Sequence, residues 1–405
     1  MQPSWQTTKL RHVAEYVNGF AFGPSDWGAE GDPIIRIQNL NEPSKPYNCF
    51  AGKIDDKYRV HAGDILISWS ASLGVYIWEG QDAWLNQHIF KVSLKEDVVD
   101  RTFFYYLITS KIAKIAGLTR GSTMKHVTRK TFLDVDMPLP PLYEQQAIAH
   151  VLKSAQLVKD LLTREIGLER ERKATLMRQL FTYGNRREVT KQTKIGEMPA
   201  SWKLLRLAQL CSRITDGAHR TPTYVVEGVP FLRVADIHSE KIDWSNVKRI
   251  PEEEHRELIK RCKPEFGDIL LSKNGTIGKT KLIDWNTEFS TFVSLCLLKP
   301  KRDLINNVFL TEFLASNGLP QILKRGKKMT VTNLHLVEIK ELLIPLPSLE
   351  EQNEIAGILE ASQAKINVLL RETALIEELL KTLLDDLMSG RLSSAPLREM
   401  EVKDE

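Results

Sequence analysis

PLPPLYEQQAIAHVLKSAQ at 138–156 returns as PLPSLEEQNEIAGILEASQ at 345–363, a shift of 207 residues. Working outward, GDILIS at 63–68 returns as GDILLS at 267–272, shifted by 204. GDPIIRIQNL at 31–40 matches GVPFLRVADI at 228–237, and residues 5–10 align with 202–207, both shifted by 197. Four blocks in one order with a slowly drifting offset make the chain two copies of a unit of about 200 residues. The period is too long and the copies too few for a solenoid. Two copies in one chain form a pseudo-dimer, which suits a two-part target as twofold proteins suit two half-sites.

Each repeated block runs into a long helix. Residues 350–389 hold no proline and one glycine, Gly357. Ile355, Leu359, Ser362, Ile366, Leu369, Thr373, Ile376, Leu380, Leu383 and Leu387 step by four and three throughout, a heptad seam. Gly390 is the expected stop. The first copy, 144–181, keeps the phase with Ile148, Leu152, Ala155, Lys159, Leu162, Ile166, Glu169, Lys173, Leu176 and Leu180. Three charged members weaken that seam, and Val158 and Leu161 are expected to help it. Each helix is roughly 58 Å long at 1.5 Å per residue. The linker 182–201 reaches at most roughly 66–72 Å when straight. A parallel pair would need nearly all of that reach and an antiparallel pair little. The spacing therefore predicts an antiparallel coiled coil with a globular head at each end. Pro-Leu-Pro at 138–140 and 345–347 keeps each helix from starting earlier.

The heads alternate short apolar runs (IIRIQ, DILISW, HIFKVSL; PFLRVAD, DILLSK, VSLCLLK) with glycine-bearing turns, read as strands. Helical stretches are expected near 101–116 and 308–325. The fold class is mixed α/β (α+β). The four cysteines, Cys49, Cys211, Cys262 and Cys296, have no metal-like spacing and are read as reduced thiols of a cytoplasmic protein. There is no apolar run long enough for a membrane span and no signal-peptide pattern at the start.

Net charge is only +4, but it is unevenly placed. Residues 142–195 hold 11 basic and 6 acidic residues, 196–347 hold 23 and 18, and 348–405 hold 6 and 13. The opposed arm charges suit pairing with each other, or a surface for another subunit. Basic heads point weakly to nucleic acid. Phosphate and base contacts need Arg, Lys, Asn, Gln and small hydroxyl residues on turns beside rigid elements. Two places in each head offer them. One is the turn after GDIL(I/L)S: Trp69, Ser70 and Ser72 in head one; Lys273, Asn274 and Thr276 in head two. The other is the basic loop before the last strands: Arg120, Ser122, Thr123, Lys125 and His126; then Arg325, Lys327, Lys328, Thr330, Thr332 and Asn333. Asn86, Gln87 and His88 are weaker candidates.

Catalytic signatures fail on inspection. KNGTIGKT at 273–280 resembles a phosphate-binding loop, but Lys273 replaces the first glycine of its backbone cradle. PPLY at 140–143 resembles the Pro-Pro-Tyr of amino-methyltransferases, yet lacks the preceding Asn or Asp, and copy two reads PSLE. HExxH and GxSxG are absent. The residues themselves leave three readings: a DNA-binding module, a stand-alone restriction or methylation enzyme, and a coiled-coil adaptor. The enzyme reading lacks its motif, and the adaptor reading leaves the duplicated basic loops unexplained.

Two α/β heads, each ending in PLPxLxEQxxIAxxL (138–152 and 345–359) and running into a long helix, resemble the specificity subunit of type I restriction–modification systems. The resemblance implies target-recognition domains at 1–141 and, with its linker, at 185–347. It implies spacer helices at 142–184 and 348–391 and a flexible tail at 392–405. It also implies that each head reads one half of a bipartite site in double-stranded DNA, with the coil as a ruler. Two modification subunits would dock on the helices and methylate adenine with S-adenosylmethionine, after flipping the base. Two restriction (translocase) subunits using ATP and Mg would join them. No cofactor, metal or catalytic residue is expected in this chain itself.

Overall fold

The computed structural model describes residues 5–70, 72–117, 129–239, 241–325 and 333–392. The first copy runs β1 (Gln6–Lys9), α1 (Leu10–Val13), β2 (Ala14–Asn18), β3 (Asp32–Ile35), α2 (Ile37–Asn41), β4 (Cys49–Phe50), β5 (Arg59–Val60) and β6 (Ile65–Ser68). It continues with β7 (Gly74–Ile77), β8 (Ala83–Leu85), β9 (Ile89–Leu94), α3 (Arg101–Gly117), α4 (Arg129–Leu133), β10 (Asp136–Leu139) and the long α5 (Leu142–Tyr183). A hairpin of β11 (Thr190–Thr193) and β12 (Gly196–Pro199) fills the linker. The second copy runs β13 (Lys203–Arg206), α6 (Leu207–Leu210), β14 (Cys211–Asp216), β15 (Val229–Leu232), β16 (Arg249–Ile250), α7 (Glu252–Arg261), β17 (Ile269–Ser272) and β18 (Thr280–Leu282). Then come β19 (Ser290–Thr291), β20 (Leu295–Pro300), α8 (Asn307–Ala315), α9 (Leu319–Arg325), α10 (Leu336–Lys340), β21 (Leu343–Leu346) and the long α11 (Leu349–Met388).

The repeat is visible in the topology. Head one has an antiparallel sheet ordered β2-β9-β6-β7, and head two has β14-β20-β17-β18 in the same pattern. Beside each lies a small sheet with one parallel pair, β3 with β8 and β15 with β19. The first and last strands of each copy pair as β1 with β10 and β13 with β21. The three residues at the centre of GDIL(I/L)S, 65–67 and 269–271, are all apolar because their strand is covered on both faces. Ile65 and Ile67 join the cluster of Phe103 and Phe104, while Leu66 turns to Ile35, Leu85 and Trp78. Ile269, Leu271 and Leu270 divide in the same way, as a period of two requires.

Two expected elements end sooner than the sequence suggested. IIRIQ leaves the sheet at Ile35, because the Asn39 side chain accepts a bond from the Arg36 N–H (3.2 Å) and starts a helical turn. The stretch 308–325 is two helices. The Gly318 N–H closes on the Phe313 carbonyl (2.7 Å), and Pro320 has no N–H to continue the ladder.

By internal contacts the chain forms two compact units, Met1–Thr163 with Arg371–Glu405, and Arg164–Leu370. Each long helix is divided between them. In the first unit Ile148 and Leu152, early in α5, share a core with Leu387 and Met388 at the end of α11. In the second, Leu180 and Phe181 at the end of α5 share a core with Ile355 and Leu359 early in α11. The helices therefore pack antiparallel as a coiled coil, and every seam position named from the sequence is buried or half-buried. The charged members are accommodated by pairing: Lys159 with Glu377 (3.0 Å), Glu169 with Lys365 (2.8 Å), and Lys173 with Glu312 (2.8 Å) and Gln363 (2.9 Å). Val158 and Leu161 do not help the seam. Lys159 takes the inward position and both neighbours face outward, exposed. Gly184 and Gly390, at φ 69° and 68°, end the two helices in the left-handed conformation.

The repeated Glu-Gln of the motif fastens each head to its helix. Gln145 accepts from the Asp100 N–H (2.8 Å) and donates to the Val98 and Pro140 carbonyls (3.1 and 2.8 Å). Gln352 accepts from the Asn306 N–H (2.8 Å) and donates to the Leu304 and Pro347 carbonyls (both 3.1 Å). The preceding glutamates accept indole N–H bonds, Glu144 from Trp5 (2.7 Å) and Glu351 from Trp202 (3.0 Å).

Candidate nucleic-acid interface

In each head the carboxyl ends of several strands meet at one edge. In head one the turn 86–88 between β8 and β9 is held by the ends of β2, β3 and β6. Asn86 N–H donates to the Ile35 carbonyl (3.2 Å), Gln87 N–H to Phe20 (2.8 Å) and Trp69 N–H to His88 (3.1 Å). In head two Phe292 N–H donates to Leu232 (3.0 Å), Val293 N–H to Ala218 (2.9 Å) and Lys273 N–H to Ser294 (2.9 Å). Tight crossing demands a glycine. A Cβ on Gly19 would overlap the Asn86 carbonyl, and one on Gly217 the Thr291 carbonyl. His88 takes φ 69° to make its turn, a conformation uncommon outside glycine.

The side chains on this shared scaffold differ. Trp69 is half-buried; it stacks on Phe90 (centroids 5.6 Å), meets His88 edge-on (4.9 Å) and donates its indole N–H to Asn18 Oδ1 (3.1 Å). Ser70 is buried, and the half-buried Ser72 accepts a bond from Ser68 Oγ at its carbonyl (2.5 Å). In head two Lys273 does not reach solvent as a free cation. It is buried, with Nζ 3.2 Å from Asp216 Oδ2, because the strand end turns it inward onto that carboxylate. Asp216 also meets Arg261 Nη2 (2.5 Å) and His219 Nε2 (3.0 Å). Burial by itself raises this carboxyl, but bonds to His219 and Lys273 outweigh it and hold the group below the usual carboxylate range. Its contribution to stability is thus present above that range and is lost as pH falls through the lowered value.

The two candidate segments of head two meet. Asn274 forms a bridge with Asn333, and Leu334 N–H donates to the Lys273 carbonyl (2.8 Å). Both asparagine Oδ1 atoms are shielded and without a hydrogen-bond partner among the described residues. Thr276 is exposed nearby. Arg325 lies at the end of α9, its guanidinium on the Gln321 and Glu341 carbonyls (both 3.3 Å). Arg120, Ser122, Thr123, Lys125, His126, Lys327, Lys328, Thr330 and Thr332 lie outside the described residues. Arg36 and Arg233 follow equivalent strands and were not foreseen. Arg36 sits over the Trp27 ring (4.7 Å), while Arg233 is tied to Asp236 by Nε and Nη2 (both 3.2 Å). Asp216 was missed as well, although aligning Asn18-Gly19 with Asp216-Gly217 marks the position in the sequence.

Comparison with known proteins matches this duplicated plan. The family described as "Type I restriction modification DNA specificity domain" matches twice, at residues 3–170 and 199–379. The Type I restriction enzyme EcoBI specificity subunit of Escherichia coli is 27% identical over 376 residues, covering 88% of this chain and 79% of the relative. The MjaVIII specificity subunit of Methanocaldococcus jannaschii is 27% identical over 413 residues, covering 96% and 93%. The crystal structure of an S subunit from M. genitalium shares the fold at TM-score 0.59 and 17% identity, covering 95% and 96%. With both copies matched across most of its length, the chain belongs to the specificity-subunit family of type I restriction–modification systems.

Proposed function

We propose that this subunit supplies sequence recognition to its enzyme, each head reading one half of a bipartite DNA target. The observation that carries this is the strand-end edge, built twice on the same backbone plan with different side chains. Asn18 and Trp69 stand where head two has Asp216 and Lys273. One scaffold with two chemistries suits two different half-sites. The chain performs no reaction of its own; S-adenosylmethionine, ATP and Mg belong to its partners, in the cytoplasm. No helix among the described residues is long and apolar enough to cross a membrane.

The coil sets the distance between half-sites and docks two modification subunits. Its apolar residues outside the seam support this. In the first unit Leu161 of α5 and Leu375 of α11 are each more than half exposed. In the second unit Val368 and Leu168, their equivalents at the shift of 207, are half or more exposed. Exposed apolar positions repeated in this way suit one docking surface per unit. Changing Leu161 and Leu375 to lysine is expected to leave the fold intact and to reduce the complex from two modification subunits to one. Changing Leu168 and Val368 should do the same at the other patch. Native mass spectrometry measures the stoichiometry, and two bound copies in both variants would rule these patches out.

The recognition role is tested by mapping N6-methyladenine in cells that express the cognate modification subunit with and without this chain. A bipartite methylated motif that appears only with the chain is expected. No new motif, with a modification subunit active alongside another specificity subunit, would remove the role.

A further inference from the structure

The cluster around Asp216 holds more positive charge than the carboxylate needs. Lys273 is buried beside it and already balances it. Arg261, the last residue of α7, adds a second full charge, and its side chain is more than half exposed. Its Nη2 is anchored on Asp216 Oδ1, to which it donates (2.5 Å), and lies 3.1 Å from His219 Nε2. Nε and Nη1 have no partner among the described residues. A guanidinium anchored on one side and open on the other is a rigid, pre-aimed fork of donors. Among the described residues head one has nothing comparable: neutral Asn18 and Trp69 occupy the position, and only a short turn, Asp56–Tyr58, stands between its β4 and β5.

We propose that Arg261, positioned by Asp216, contacts a pair of hydrogen-bond acceptors in the DNA half-site bound by head two. This rests on the DNA-reading role given above. Two sources offer that acceptor pair: the O6 and N7 edge of a guanine, and the oxygens of a backbone phosphate. Asp216 is a positioning residue. Its buried pairing with Lys273 allows removal of both charges together by near-isosteric changes, which leaves no orphaned ion in the core.

The test uses the full chain with its modification subunit, reading the methylated motif genome-wide and measuring binding of motif DNA against salt. For Arg261→Ala, a base contact predicts a second half-site that degenerates at one position while the first stays intact, with affinity falling at least about fivefold. A phosphate contact predicts an unchanged motif, weaker binding to all sequences, and a salt slope reduced by about 1. Arg261→Lys should restore phosphate binding but not base discrimination, because lysine lacks the fork. The double variant Asp216→Asn, Lys273→Met should fold and reproduce the Arg261→Ala defect in part. Motif, affinity and slope all unchanged in Arg261→Ala would overturn the proposal while leaving the DNA-reading role standing. A defect in Arg261→Ala with none in the double variant would overturn the positioning role of Asp216. A wild-type chain that installs no bipartite motif would overturn both the proposal and the role it rests on.

Discussion

Replacing Trp202 with alanine is expected to destabilise the second unit by about 3–5 kcal/mol, a large fraction of the stability of an ordinary domain. Trp202 is 1% exposed and lies in a core with Phe181, Phe309, Ile355 and Leu359, meeting Phe309 edge-on at 6.1 Å. Its indole N–H is also the hydrogen-bond donor to Glu351 Oε2, and that residue is 5% exposed. Truncation therefore opens a cavity and strips a buried carboxylate of its donor, so the cost falls at the upper end of the range. Trp5 holds the equivalent place in the first unit and donates to Glu144 in the same way, but it is only half-buried. Trp5→Ala should cost clearly less, because less apolar surface returns to water. Urea denaturation of each full-length variant, with limited proteolysis to locate the loosened unit, measures both. Equal losses at the two sites would show that the glutamate bond, and not burial, sets the energetics of this junction.

Much of the architecture was legible because it is written in periodicity. The seam from Ile355 to Leu387 steps through α11 in register, and α5 repeats it, since position in a heptad depends only on neighbouring residues. The repeated GDIL(I/L)S marked the central strand of each head for the same local reason. Pairing across the chain was not legible. Lys273 looked like an exposed cation on a turn, and only the fold brings Asp216 beneath it. Lys159, Glu169 and Lys173 looked like defects in the first seam until their partners on α11 and α8 were in place. Gln145 and Gln352 served as signature letters whose purpose, binding three backbone groups of the preceding head, needs coordinates to see. The basic loops lie largely outside the described residues, and the groups that gather at the strand end of head two, Asp216 with Lys273, Arg261 and His219, come from separate stretches of the chain.

Gly217→Ala is expected to abolish recognition by head two while leaving head one intact. A methyl group there would overlap the Thr291 carbonyl, a backbone atom that cannot swing aside as a side chain does. The strand end must move, and overpacking of this kind costs about 1–3 kcal/mol or somewhat more. The position matters more than the energy. Gly217 follows Asp216 directly, and Ala218 exchanges backbone bonds with Thr291 and Val293 (2.8 and 2.9 Å). Displacing this crossing shifts the carboxylate that gathers Lys273, Arg261 and His219, and with it the contact proposed above for Arg261. Gly357→Ala is the matched control. It lies inside α11 with open space where the Cβ would go, and should stabilise the chain by about 0.5–1 kcal/mol. In methylation mapping, Gly217→Ala should blur or erase the second half of the motif, and Gly357→Ala should change neither half. A Gly217→Ala chain that still installs the full motif would mean that the strand-end edge does not form the recognition surface, and the basic loops would then have to carry it.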